Sequence, residues 1–123
     1  MSGAPRRRDR GVATAEVAVA LPALVVLVAA GMTAVSVLTA QLRCVDAARE
    51  AARAAARGED AAIVRSLAER SGPAGSEVQV TSGGQEVEVT VSAVADSVGE
   101  LLPAVRVRAS AVALREPESV DEP

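Results

Sequence analysis

The chain has 123 residues and a net charge of −3, with half of its residues apolar but no Phe, Tyr, Trp or His. Without imidazole it lacks the commonest acid-base group and metal ligand, and without aromatic rings it has no platform on which nucleic-acid bases could stack. Charge is divided along the chain: residues 1–11 carry four Arg and one Asp, net +3, whereas residues 12–123 carry nine Arg and fifteen acids, net −6.

Several function classes fall away on these grounds. The Arg residues of the acidic part are interleaved with carboxylates, so nucleic acid is not an expected partner. No serine has a His or Lys to activate it, and the carboxylates fall on surface positions of the expected elements, so an enzyme is not expected either. The single cysteine, Cys44, allows neither an intrachain disulfide nor a thiolate metal cluster, and no cofactor is expected.

From the N-terminus, Arg6, Arg7, Arg8 and Arg10 form a basic leader over residues 1–11. Val17 to Leu42 then runs 26 residues without a charge, about 39 Å as a helix against a hydrocarbon core of about 30 Å. A single membrane span at about residues 17–39 is expected. The basic cluster before it keeps the N-terminus cytoplasmic and sends the rest across. The block is too long for the apolar core of a secretory signal peptide, although Ala34 and Ser36 form a weak cleavage signal after Ser36. Pro22 lies inside the apolar helix, where it removes a backbone hydrogen bond and produces a kink or a local loosening. Ala30 and Ala34, beside Gly31, leave room for a second helix to approach.

The junction Arg10-Gly11-Val12-Ala13-Thr14-Ala15-Glu16 resembles a prepilin leader. That resemblance implies cleavage directly after Gly11, with Val12 as the first mature residue and Glu16 as the fifth. The spacing has a physical basis, because an amine created at Val12 and a carboxylate four residues later lie on one helical face. Glu16 also stands in the first turn, where negative charge is favoured. In packed pilin-like helices, the resemblance implies, Glu16 meets the amine of a neighbouring subunit.

Residues 41–57 are rich in helix formers and contain no Gly or Pro, so one helix over residues 12–57, about 70 Å long, should end at Gly58. Asp46 with Arg49, and Glu50 with Arg53, stand at i,i+3, and Arg49, Arg53 and Arg57 form a stripe at i,i+4. Cys44, just beyond the apolar block, is a candidate for a disulfide with another chain. Residues 59–70 read as a short second helix, with Ile63, Val64, Leu67 and Ala68 on one face, stopped by Ser71-Gly72-Pro73.

Beyond that helix the period becomes two. Val78 and Val80 alternate with polar residues, Ser82-Gly83-Gly84-Gln85 turns the chain, and Val87, Val89 and Val91 alternate again. Residues 96–103 interrupt the pattern, and residues 104–115 resume it as a third strand. Adjacent antiparallel strands would bring Glu86 and Glu88 against Arg106 and Arg108. Residues 58–115 form an extracytoplasmic head, and the roughly 80 residues left outside the leader and the apolar block are a size at which domains are only marginally stable. Its valine face needs the first helix as a lid. Residues 116–123, with two prolines and four acids, form an acidic disordered tail.

The Gly11–Glu16 junction, the apolar helix, the segment Asp46-Ala-Ala-Arg-Glu-Ala-Ala-Arg and the ending Ala111-Val-Ala-Leu-Arg-Glu116 together resemble the TadE-like family, minor pilin-like subunits of the tight-adherence branch of type IV pili. The resemblance implies an α+β, pilin-like fold with one long transmembrane helix, a short second helix and a three-stranded antiparallel sheet. It also implies processing by a prepilin peptidase, storage in the membrane, and partners among the major pilin, other minor pilins and an inner-membrane assembly platform. Two other readings fit the same residues: a single-pass anchored interaction domain of the cell envelope, and a secreted binding module released by signal peptidase.

Overall fold

A computed structural model describes residues 6–99 and 102–117. The order of elements is α1 (Arg6–Ala56), α2 (Ala61–Ser71), β1 (Glu77–Gly83), β2 (Glu86–Ala95) and β3 (Val105–Leu114). The expected α+β arrangement is present, with one antiparallel sheet in the order β1-β2-β3. The first five leader residues and residues 118–123 of the expected tail lie outside the described residues.

Helix α1 is 51 residues long, about 77 Å. It starts at Arg6 and passes through Gly11 and Pro22 without a break, so the described part of the leader continues the helix. Its end follows from Gly58, whose φ of +83° suits a residue without a side chain. The Gly58 amide donates to the Ala55 carbonyl at 3.0 Å and the Glu59 amide to the Ala54 carbonyl at 3.2 Å. This paired closure satisfies carbonyls that the last helical turn would otherwise strand. Asp60 then caps α2, its carboxylate accepting from the Ala61 amide at 3.1 Å.

The hairpin between β1 and β2 is the tightest kind, with Gly83 paired to Glu86 and only Gly84 and Gln85 in the loop. Gly84 takes the positive φ, +61°, that such a turn demands. Strand β2 runs to Ala95, so its alternation continues four residues beyond Val91: Val87, Val89, Val91, Ala93 and Ala95 are all buried.

The core lies between the upper part of α1, α2 and one face of the sheet. From α1 it takes Ala40, Cys44, Ala47, Ala48, Ala51, Ala52, Ala54 and Ala55; from α2, Val64 and Ala68; from the strands, chiefly valines. Side chains this small let helix and sheet approach closely, which is how a head without aromatic rings closes its interior. Leu67 is only partly buried and Ile63 is 51% exposed, so the buried face of α2 is narrower than its four apolar residues suggest.

Two sets of expected ion pairs do not form. Glu86 pairs with Leu114 and Glu88 with Val112, while Arg106 pairs with Val94 and Arg108 with Ser92. The reason is topological: in an antiparallel pair the first residues of one strand meet the last of the other, and these charges all stand near strand starts. Acids and bases are thereby sent to opposite ends of the sheet. Likewise, the ion pair seen among the described residues is Arg57 with Glu59 at 2.8 Å, not Asp46–Arg49 or Glu50–Arg53. Glu50 instead accepts from the Ser71 hydroxyl at 2.8 Å, tying α2 to α1.

Ala51 is fully buried on α1, where no larger side chain fits without displacing its neighbours. Ala51→Leu should destabilise the head by about 1–3 kcal/mol through overpacking, seen as a lower unfolding midpoint of the full chain in detergent. Ala30→Leu, on the exposed part of the same helix, should leave that midpoint unchanged.

Candidate assembly and processing site

The head covers α1 only in its upper part. Thr33 is the first buried residue, and from Asp9 to Met32 every residue is exposed except partly covered Ala29. The boundary is a specific contact. The Thr33 hydroxyl donates to the Ala29 carbonyl at 2.9 Å and accepts from the Val98 amide at 3.2 Å. Two turns higher the Gln41 side chain donates to the Arg108 carbonyl at 2.9 Å. At the far end the Glu116 amide donates to the Ala56 carbonyl at 3.3 Å, so the first residue allotted to the tail is in fact tied to α1. The head therefore lies along the helix from Thr33 to Ala56, about 34 Å.

Below it projects a bare stem. Val12, Val17, Val19, Leu21, Leu24, Val25, Val26, Leu27, Val28 and Met32 are each more than half exposed. The stem from Gly11 to Met32 is 22 residues, about 33 Å, close to the thickness of a bilayer's hydrocarbon core. The head begins six residues below the upper limit of 39 expected for the span, so Thr33 to Thr39 carries protein on one side.

The processing and registration residues Gly11, Val12 and Glu16 lie on this stem. Gly11, Val12, Ala15, Glu16, Val19, Ala20 and Ala23 line one shallow, open and mostly apolar strip of the helix. A side chain built at Gly11 would meet nothing within 4 Å, so its role is not one of packing within the chain. Glycine is nonetheless a poor helix residue, about 1 kcal/mol worse than alanine, and this end of α1 has no tertiary support. Pro22 sits in mid-stem, where its missing N–H leaves the Ala18 carbonyl without a helical partner.

Cys44 is placed differently from the other candidates. It has no exposed surface and lies between α1 and the rest of the core. A disulfide to another chain is therefore closed to it while the head is folded, and its small size is what the site uses. Burial also pushes the thiol pKa up, because the thiolate is poorly solvated there. The sequence pattern missed two positions that the geometry makes important, Thr33 and Gln41. Both look like incidental polar residues in an apolar run, and only the fold reveals what they hold.

Residues 11–53 match the family described as TadE-like protein. Over 107 residues the chain is also 44% identical to a Mycobacterium tuberculosis (strain ATCC 25618 / H37Rv) protein named apoptosis inhibitor Rv3655c, covering 85% of this chain and 79% of the relative. The chain belongs to the TadE-like family. This TadE-like chain thus falls among the pilin-like membrane proteins of tight-adherence systems, a structural family, and its bare apolar helix is a membrane anchor. The family match begins at Gly11 and covers almost the whole of the stem and the helical lid. No solved structure matches the chain.

Because the thiolate is the reactive form, the raised pKa and the burial act together. In the native full chain Cys44 should resist maleimide at pH values where a free cysteine peptide reacts, and react fast once the head is denatured. Rapid native labelling would contradict the buried placement.

Proposed function

We propose that this TadE-like protein is a minor pilin or pseudopilin of a tight-adherence pilus, trimmed after Gly11 by a prepilin peptidase and working through helix-to-helix packing, with no catalytic site of its own. The observation that carries this reading is the stem. It is about as long as the hydrocarbon core is thick, its surface is apolar apart from Thr14 and Glu16 near its lower end, and among the described residues almost nothing covers it. Either lipid or other helices must surround it, and a pilin's working cycle exchanges one for the other.

The depth of Glu16 on the stem supports the same reading. With Thr33 at the outer boundary, a 30 Å core extends down to about Val12 or Ala13, so Glu16 lies within the hydrocarbon near its cytoplasmic side. A carboxylate at mid-depth costs about 2.5–3.5 kcal/mol, and the exposed Glu16 has no partner cation within salt-bridge range among the described residues. Cleavage after Gly11 creates a cation at Val12 on the same helical face. In a bundle of such stems the Val12 amine of one subunit neutralises Glu16 of the next and sets their relative height. The uncut leader would keep Arg10 and the other basic residues at the cytoplasmic surface and so hold the subunit in the membrane.

A secreted module released after Ser36 fits less well, because that cut would remove Thr33, the residue whose hydroxyl holds the Val98 amide. A tethered interaction domain would keep the whole chain. The partners that the proposal requires are a prepilin peptidase, the major pilin, other minor pilins and an inner-membrane assembly platform.

Mass spectrometry of the protein from its native membrane tests the proposal. The expected mature form starts at Val12, Gly11→Ala should accumulate the uncut precursor, and Glu16→Ala should insert and be cut normally yet impair fibre formation. A native protein starting at Met1 or Ser2 would favour the tethered domain instead. One starting near Val37 or Gln41 would favour secretion.

A further inference from the structure

The lower end of the head carries an apolar rim that the fold leaves uncovered. Val94 at the end of β2, Val98 in the following loop and Val105 at the start of β3 are 52%, 40% and 38% exposed. Pro103 is exposed beside them, and Leu102 is partly covered. Arg106 stands opposite Val94 on the outer face of β3, with Arg108 two residues further along that strand and Arg43 higher on α1, all exposed. The register that separates Arg106 and Arg108 from Glu86 and Glu88 places the two arginines at this end. The acids at this end among the described residues are Asp96, which shares a groove with Arg43, and Glu77.

The position of the rim is not free. Val98 is bonded to Thr33, and Thr33 is one hydrocarbon thickness along α1 from the cytoplasmic end of the stem. A helix that crosses the bilayer therefore holds this end of the head at the outer leaflet.

We infer that the lower rim of the head is a lipid-binding surface: Val94, Val98 and Val105 enter the interfacial layer of the outer leaflet, and Arg106 and Arg108 bind lipid phosphates. Arginine suits phosphate because its planar fork donates two hydrogen bonds at once, and its stem covers apolar surface while the charge stays in the headgroups. The rim acts as a stop on the helix. How deep it settles decides how far Glu16 stands above the cytoplasmic boundary, and so how readily Glu16 meets a neighbouring amine. The inference rests on the membrane-spanning reading of the stem and adds to it a defined height.

The absence of Trp and Tyr makes the test clean, since one introduced Trp is the sole strong fluorophore. The full chain is reconstituted into vesicles of phosphatidylcholine and phosphatidylglycerol as Val98→Trp, with Val26→Trp in mid-stem and Val112→Trp at the far end of the sheet as references. Val98→Trp should lose most of its emission to lipids brominated high on the acyl chain and little to aqueous acrylamide. Val112→Trp should behave in the opposite way, and adding Arg106→Gln with Arg108→Gln to Val98→Trp should reduce its bromolipid quenching. Val98→Trp open to acrylamide, with Val26→Trp quenched by bromolipid, would overturn the rim alone. Protection of Val98→Trp from both quenchers would put a protein on this surface and would equally overturn it. If Val26→Trp escapes bromolipid, the membrane reading and the rim fall together.

Discussion

The structure depends on a length of helix that its own head does not cover. Ten large apolar side chains between Val12 and Met32 stand more than half exposed on the stem, and fully removing each from water is worth about 1.5–3 kcal/mol. Even at partial exposure their sum rivals the whole net stability of a small domain, about 5–15 kcal/mol. Lipid or other apolar helices would cover the stem, and the proposed trimming and assembly would exchange one for the other.

The head is built to ride on that helix. Its interior is alanine, valine and one cysteine, a choice that brings α1 near the sheet and makes the same helix both anchor and core. Removing α1 would leave the valine face of the sheet open, so a head cut free of its helix would not be expected to hold its fold. The anchoring contacts at Thr33, Gln41 and Ala56 fix the head's height along α1. Height matters because it converts a registration within the head into a depth within the membrane. The stem, Glu16 and the lower rim are thus three marks on one rigid rod.

Much of this was legible in the residues. The charge-free run from Val17, the helix-forming segment to Gly58, the acids before α2 and the alternation of Val78, Val80, Val87 and Val89 each express a local period, and local periods survive into the fold. The junction from Gly11 to Glu16 offers only a spacing, on which the proposed trimming rests. Pairing was harder. The cross-strand partners of Glu86 and Arg106 depend on which ends of the strands meet, a matter of connection that the alternation does not encode. Nor does an alanine advertise whether it is buried, so the packed stripe from Ala40 to Ala55 and the burial of Cys44 required the tertiary structure. Thr33 escaped for a similar reason, since a helical threonine that bonds back to its own turn looks the same until a loop amide arrives at its hydroxyl.

The central claim is that water does not surround the stem. A single thiol placed there by Leu24→Cys, in a Cys44→Ala background, measures this directly through its rate of labelling by a membrane-impermeant maleimide in intact membranes or sheared fibres. A stem embedded in lipid or packed among other stems predicts almost no labelling until detergent is added, beside rapid labelling of a control thiol at Ser82. Equal, rapid labelling at both positions would contradict the account.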